Sequence, residues 1–134
     1  MNNQKPTLYL VRGVSGAGKS TFAETLAKAV IGLHFEADMF FMQNGEYKFD
    51  ANHLEYAHQW CQDLTKHNLG RKINIVVSNT STTEKEVKVY QDIAKECNAN
   101  FVSLIVENRN GTMSVHNVPE GVLQRQRSRF SVKL

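Results

Sequence analysis

The sequence predicts an α/β fold, a small parallel sheet with helices on both faces. Three observations predict it. Apolar, β-rich runs alternate four times with helical patterns, as strands joined by crossover helices do. A glycine-rich turn stands between the first of those strands and the first helix. The length of 134 residues, with 41% apolar and 22% charged residues, suits one globular domain, so 1–134 reads as a single unit.

Each element has its own signal. Thr7-Leu8-Tyr9-Leu10-Val11-Arg12 reads as the first strand and ends abruptly at Gly13. From Lys19 to about Val30, the residues Phe22, Leu26 and Val30 recur every four positions, which predicts a helix with that stripe buried. Leu33-His34-Phe35-Glu36 is a short second strand. The aperiodic stretch from Asp38 to Tyr47 carries an Asn44-Gly45 turn signal. Asp50 is placed to cap a helix over 51–69 that buries Leu54, Ala57, Cys61 and Leu64 and is closed by Gly70. Ile73-Asn74-Ile75-Val76-Val77 is the strongest strand. Thr83 and Glu86 form a capping box before a helix with Val87, Tyr90, Ala94 and Cys97 on one face. Phe101 to Val106 is the fourth strand. After the aperiodic Glu107 to His116, the residues Asn117, Pro119 and Glu120 open a last helix to about Phe130.

Composition narrows the classes of function. Two cysteines, Cys61 and Cys97, are too few for a disulfide scaffold and lack metal-ligand spacing, so they read as buried, reduced thiols. No apolar run approaches the roughly 18 residues that span a bilayer, and Met1-Asn2-Asn3-Gln4-Lys5 has no signal-peptide core. The expectation is a soluble, cytoplasmic chain with no membrane partner. The net charge of +3 is unevenly placed: from Arg109 onward five basic residues face one acid, Glu120, leaving 11 basic and 12 acidic groups before it. A solvated basic helix accounts for that surplus, and phosphate is the partner it would suit.

The chemistry is concentrated in Gly13-Val14-Ser15-Gly16-Ala17-Gly18-Lys19-Ser20-Thr21, which matches the phosphate-binding pattern G-x-x-x-x-G-K-[ST]. Glycines let the backbone turn its N–H groups inward on a phosphate, and the dipole of the helix that follows favours an anion. Lys19 reaches the β- and γ-phosphates, and the Ser20 hydroxyl can ligate Mg²⁺. The pattern therefore predicts ATP as ligand, Mg²⁺ as companion and residues 13–21 as the binding loop.

In a parallel sheet, groups that follow the strands converge on one edge. That places Asp38, then Ser78, Asn79 and Thr80, then Arg109 and Asn110, near the loop. Asp38 can take the proton of an attacking hydroxyl or hold Mg²⁺ through water, though a turn cap is an ordinary role for aspartate. Arg109 can close over the γ-phosphate and neutralise charge in the transition state, or be a surface charge. Phe40 and Phe41 read as core residues or as a stacking surface for an acceptor base. Trp60, Tyr56 and the histidines at 53, 58 and 67 read as packing or solvated residues of the long helix. His34, Arg71 and Lys72 fall at the starts of strands, and the same rule sends them to the opposite edge.

Taken together, Arg12-Gly13 through Thr21, Phe35-Glu36-Ala37-Asp38, Val77-Ser78-Asn79-Thr80, and Glu107-Asn108-Arg109-Asn110 to Val118-Pro119-Glu120 resemble a known group. They are similar to the small P-loop kinases typified by bacteriophage polynucleotide 5′-hydroxyl kinase. They are closer still to the kinase-like ATPase domain of the Nedd-four-binding proteins and their phage relatives. The resemblance spans about Thr7 to Phe130. It implies a four-stranded parallel sheet in the order 2-3-1-4, with an ATP site at the strand ends. It implies Asp38 as general base, Arg109 as a lid arginine, and transfer of the γ-phosphate of ATP to a nucleic-acid 5′-hydroxyl. The pattern is departed from at Asn79, where those kinases carry aspartate, at Phe41, where they carry an arginine, and near Met113, where a second lid arginine would stand. Beside the polynucleotide kinase stand two further readings: a nucleotide-binding module that hydrolyses ATP slowly and acts through protein contacts, and a small-molecule kinase.

Overall fold

The computed structural model describes residues 4–13, 18–79 and 84–107. Strand β1 (Thr7–Arg12) leads to helix α1 (Lys19–Ala29), then to the three-residue strand β2 (Leu33–Phe35). A 3-10 turn over Ala37–Phe41 enters a small antiparallel hairpin of β3 (Met42–Gln43) and β4 (Glu46–Tyr47). A 3-10 turn at Ala51–His53 opens α2 (Leu54–Gly70), and β5 (Ile75–Val77), α3 (Glu84–Glu96) and β6 (Asn100–Ile105) follow.

The main sheet has the order β2-β5-β1-β6 and is parallel throughout, with Leu10 paired to Val77 on one side and to Ser103 on the other. Counting only its own strands, this is the expected 2-3-1-4. Period-two alternation sorts its side chains onto two faces. Val11 and Val76 pack against Ala23 and Ala27 of α1. Leu8, Leu10, Ile75 and Val77 face the other way, onto Ala57, Cys61 and Leu69 of α2 and Val87, Tyr90, Ile93 and Ala94 of α3. The sheet is thus covered on both sides, which explains why β1 and β5 read as unbroken apolar runs.

Several sequence expectations need correction. The expected stripe of Phe22, Leu26 and Val30 holds only in part: Leu26 and Val30 pack against the core partly buried, Phe22 is 42% exposed, and Ala23 and Ala27 are the buried pair. Small alanines let the helix axis approach the strands, and Leu26 and Val30 flank the contact. In α2, Ala57 and Cys61 are buried as expected, but Leu54 is exposed and Leu64 only half-buried, with Thr65, Asn68 and Leu69 completing the face. The buried Thr65 hydroxyl is satisfied by the Cys61 carbonyl at 2.8 Å. Asp50 caps the 3-10 turn at Ala51–His53, accepting the Asn52 N–H at 2.9 Å, while α2 itself starts after His53 with no side-chain cap. Cys61 is buried and Cys97 only half-buried, and both are free. The aperiodic 38–47 stretch holds regular structure, since Asn44 (φ 50°) and Gly45 (φ 81°) make the left-handed two-residue turn that closes β3 onto β4. Thr83 and the expected last helix lie outside the described residues.

The end of the sheet away from the strand tips is clamped by Asn74. Its Oδ1 accepts the Thr7 N–H at 2.8 Å, its Nδ2 donates to the Val30 carbonyl at 2.9 Å, and its own carbonyl accepts the Leu33 N–H at 3.0 Å. Gly32 lies against it, where an added methyl would meet the Asn74 carbonyl.

Candidate active site

The site begins where β1 runs into α1. Arg12 ends the strand fully buried, with the charge of Glu86 opposing the burial that lowers its pKa. Gly18, the N-cap of α1, sits at φ 84°, a conformation that favours glycine, and nothing in the surroundings would obstruct a side chain there. The glycine requirement is therefore one of backbone, not space. The Phe22 N–H is bonded to the Gly18 carbonyl at 3.1 Å, so the helix starts there. Gly13 is buried; Val14, Ser15, Gly16 and Ala17 lie outside the described residues.

Lys19 and Ser20, half-buried at the head of α1, meet an acidic pair that follows the edge strand β2. Burial lowers the Lys19 pKa, while the charges of Glu36 and Asp38 raise it. The Ser20 hydroxyl donates to Glu36 Oε2 at 2.6 Å. The Ser78 hydroxyl donates to the same oxygen at 3.1 Å, and His34 Nε2 lies 2.6 Å from Ser78 Oγ. Because the single Ser78 proton is directed at Glu36, the short contact from His34 is completed by a proton on Nε2. Strand alternation brings these groups together. Phe35 packs into the α2–α3 side, so His34 and Glu36, one residue to either side, turn toward α1. Ser78 follows Val76 by two and shares its face.

Asp38 sits in the 3-10 turn after β2, half-buried, and accepts a hydrogen bond from the Tyr47 hydroxyl at 3.2 Å. Asn79 holds that turn in place. Its Oδ1 accepts the Ala37 N–H at 2.8 Å, and its Nδ2 donates to the Tyr90 hydroxyl at 3.2 Å with Cys61 Sγ at 3.8 Å. Phe41 is a core residue at 2% exposure, packed edge-on against Phe40, Tyr47 and Phe49, which removes it as a stacking surface. Phe40 stays half-buried and leans edge-on against Trp60.

The structure thus brings Lys19, Ser20 and Asp38 to one edge, with Ser78 and Asn79 beside them. Arg109, Asn110 and Thr80 lie outside the described residues. Arg71 and Lys72 fall at the other edge as expected. His34 does not: β2 spans only three residues, so its start is within reach of its end. Glu36, read as the tail of a strand, is the residue that sequence reasoning missed. Its available signal was the acid-x-acid spacing of Glu36 and Asp38 after a strand.

A strand, a glycine turn and a helix that starts with Lys-Ser, set on the central β1 of a β2-β5-β1-β6 parallel sheet, define a P-loop kinase-like fold. The chain belongs to the AAA domain family, whose sequence profile matches residues 8–132. It is similar to human NEDD4-binding protein 2, at 36% identity over 91 residues, covering 66% of this chain and 5% of that protein. It is also similar to an uncharacterized protein of Pasteurella multocida, at 32% identity over 97 residues, covering 61% of this chain and 54% of that one. The chain therefore spans about a twentieth and about half of these two relatives. Among solved structures, a chain of the Pnkp1/Rnl/Hen1 RNA repair complex superposes with a TM-score of 0.73 at 17% identity, over 96% of this chain and 45% of its own. A Janibacter sugar kinase gives 0.64 at 18%, over 96% and 80%. The Mycobacterium tuberculosis APS kinase, solved with AMPPNP and APS, gives 0.62 at 12%, over 91% and 68%. At these identities the likeness is one of fold.

Proposed function

We propose that residues 1–134 form one ATP-dependent kinase domain that transfers the γ-phosphoryl group of ATP to a hydroxyl, the preferred acceptor being a polynucleotide 5′-hydroxyl. The observation that carries this reading is that the turn after β2 brings Asp38 up to Lys19 at the head of α1, the Ser20 hydroxyl bonding Glu36 at the start of that turn at 2.6 Å. Lys19 suits a phosphate and Asp38 an acceptor proton. Residues Gly13 to Thr21 wrap the phosphates, with Lys19 offsetting charge on the β- and γ-groups. Asp38 takes the proton of the acceptor hydroxyl as its oxygen bonds to the γ-phosphorus and the bond to the bridging oxygen breaks, releasing ADP. Arg109 closes over the γ-phosphate. The fold of an RNA repair component supports the acceptor class.

The donors at Ser20 fit Mg²⁺, which prefers hydroxyl and carboxylate oxygens and accompanies ATP in P-loop enzymes. When bound it neutralises charge on the phosphates. Among the described residues no helix is long and apolar enough to cross a membrane, and the two free thiols fit a reducing, cytoplasmic compartment.

A second reading, a nucleotide-binding module that hydrolyses ATP slowly and works by protein contact, is favoured by Phe41 and Asn79. Both are committed to the interior, where they carry no charge toward an acceptor.

Labelled ATP supplied with 5′-hydroxyl RNA, 5′-hydroxyl DNA, nucleosides or water separates the readings. Transfer to the polynucleotides is the expected result, and release of phosphate to water alone defeats the kinase. Asp38→Asn should lower transfer by about 10²–10⁴-fold with ATP affinity little changed. Arg109→Ala should lower it by roughly 10²–10³-fold and leave ADP binding as before.

A further inference from the structure

We infer that Glu36, carried in from the edge strand β2, supplies the carboxylate of the metal site at Ser20, in place of the strand next to the P-loop. The inference rests on the nucleotide-binding part of the reading above. P-loop enzymes hold their divalent ion with the loop's Ser or Thr and an acidic residue elsewhere on the sheet. Here β5, the neighbour of β1 on the Asp38 side, is followed by Ser78 and Asn79, a hydroxyl and an amide with no carboxylate. Asn79 is moreover turned to the opposite face, toward Cys61 and Tyr90.

Glu36 fills that gap from one strand further out. Phe35 is in register with Val77, and the Ser78 N–H donates to the Phe35 carbonyl at 3.1 Å, so the backbones of 36 and 78 leave the sheet side by side. Glu36 is extended (φ −138°, ψ 148°), which keeps the strand alternation and aims its side chain at α1. One oxygen, Oε2, collects the hydroxyls of Ser20 and Ser78. The other has no hydrogen-bond partner among the described residues. Ser78, with His34 behind it, acts as a positioning residue that fixes the longer glutamate arm where a shorter side chain on β5 would otherwise stand. Asp38, two residues on, is thereby left free to serve the acceptor.

The test is a Mn²⁺ titration of the full chain with AMPPNP, read by the electron paramagnetic resonance of free Mn²⁺, alongside AMPPNP binding in EDTA. Glu36→Gln keeps an oxygen for both serines and removes the charge. It should weaken Mn²⁺ in the ternary complex by about 10–100-fold, leaving EDTA-condition binding within a few-fold of wild type. Glu36→Gln/Ser78→Asp, which moves the carboxylate back to β5, should recover most of that loss, and recovery also shows that the chain is folded. Glu107→Gln, the carboxylate just after β6, should change nothing. Unchanged Mn²⁺ affinity in Glu36→Gln overturns the inference, as does a loss confined to Asp38→Asn or to Glu107→Gln. A wild type that binds Mn²⁺·AMPPNP through Glu36 but transfers phosphate to no hydroxyl leaves the metal role standing and removes the kinase.

Discussion

The Tyr47 phenol, on the second strand of the hairpin, reaches back to donate a 3.2 Å hydrogen bond to Asp38 Oδ1. Burial and the Asp38 charge both raise the Tyr47 pKa, so the phenol stays a donor across the working pH range. The hairpin thereby ties down one Asp38 oxygen, and in the proposed reaction the other would face the acceptor. Tyr47→Phe keeps the ring stacked on Phe49 and removes only the hydroxyl. It should lower kcat by about 3–10-fold, the worth of one partly exposed hydrogen bond, with KM for ATP unchanged. Steady-state kinetics check this, with Tyr47→Ala as the comparison that loses the ring as well. A rise in KM for ATP with kcat intact would give Tyr47 to the nucleotide instead.

If Lys19 holds the phosphates as proposed, nucleotide binding is pH-dependent in a definite sense. Burial lowers its pKa below the ordinary lysine value, against the pull of Glu36 and Asp38. In the free protein it therefore begins to lose its proton at a pH where a free lysine is still charged. A bound triphosphate favours the charged form, so in that alkaline window binding takes up a proton and affinity falls as pH rises. The folded chain also binds fewer protons there than the unfolded one, so this group's contribution to stability rises with pH through the same window. Calorimetric titration in two buffers of different ionisation enthalpy measures the uptake. Lys19→Arg should abolish it, and Lys19→Ala should abolish turnover and weaken ATP binding in a folded protein.

Asn79→Ala should destabilise the fold and loosen the turn that carries Asp38. The substitution orphans the buried Ala37 N–H, which costs about 1–3 kcal/mol, and strips the Tyr90 hydroxyl of its donor. Urea unfolding reads the loss. Tyr90→Phe should cost about 1 kcal/mol, since Asn79 keeps its bond to Ala37.

Gly32→Ala tests the opposite end of the sheet. A methyl there would press on the Asn74 carbonyl, which is backbone and cannot swing away, and Asn74 also holds Thr7 and Val30. Overpacking of this kind costs about 1–3 kcal/mol. Thermal unfolding should show it, with kcat unchanged wherever the protein is folded.

The sheet was legible because it is covered on both faces, so Leu8 to Val11 of β1 and all of β5 form unbroken runs of apolar and aromatic residues, each separated from the next strand by a helical pattern. On α1 the expected Leu26 and Val30 do reach the core but stay partly buried, while the alanines Ala23 and Ala27, which pack closest, are the buried pair. That Lys19, Ser20 and Asp38 lie at one edge of the sheet was readable from motif and strand-end position. Glu36 was not, because it reads as the last residue of a strand that in fact ends at Phe35, and His34 was not, for a related reason. The rule that sorts residues by strand start and strand end assumes a strand long enough to separate them, and β2 advances only about 10 Å over its three residues. The serine after β5 was a usable hint: a hydroxyl where a carboxylate is wanted directs attention to the next strand.

The order β2-β5-β1-β6 also bears on how the chain emerges from the ribosome. The central strand β1 pairs only with β5 and β6, both made later, and β2 waits for β5 too. At roughly 5–20 residues per second, Leu8, Leu10 and Val11 stay without a sheet partner for on the order of 3–13 s. When β5 arrives, three strands and the phosphate loop between β1 and α1 can assemble together. Until then the nascent segment is an apolar strand with two open edges, the kind of surface that holding chaperones cover.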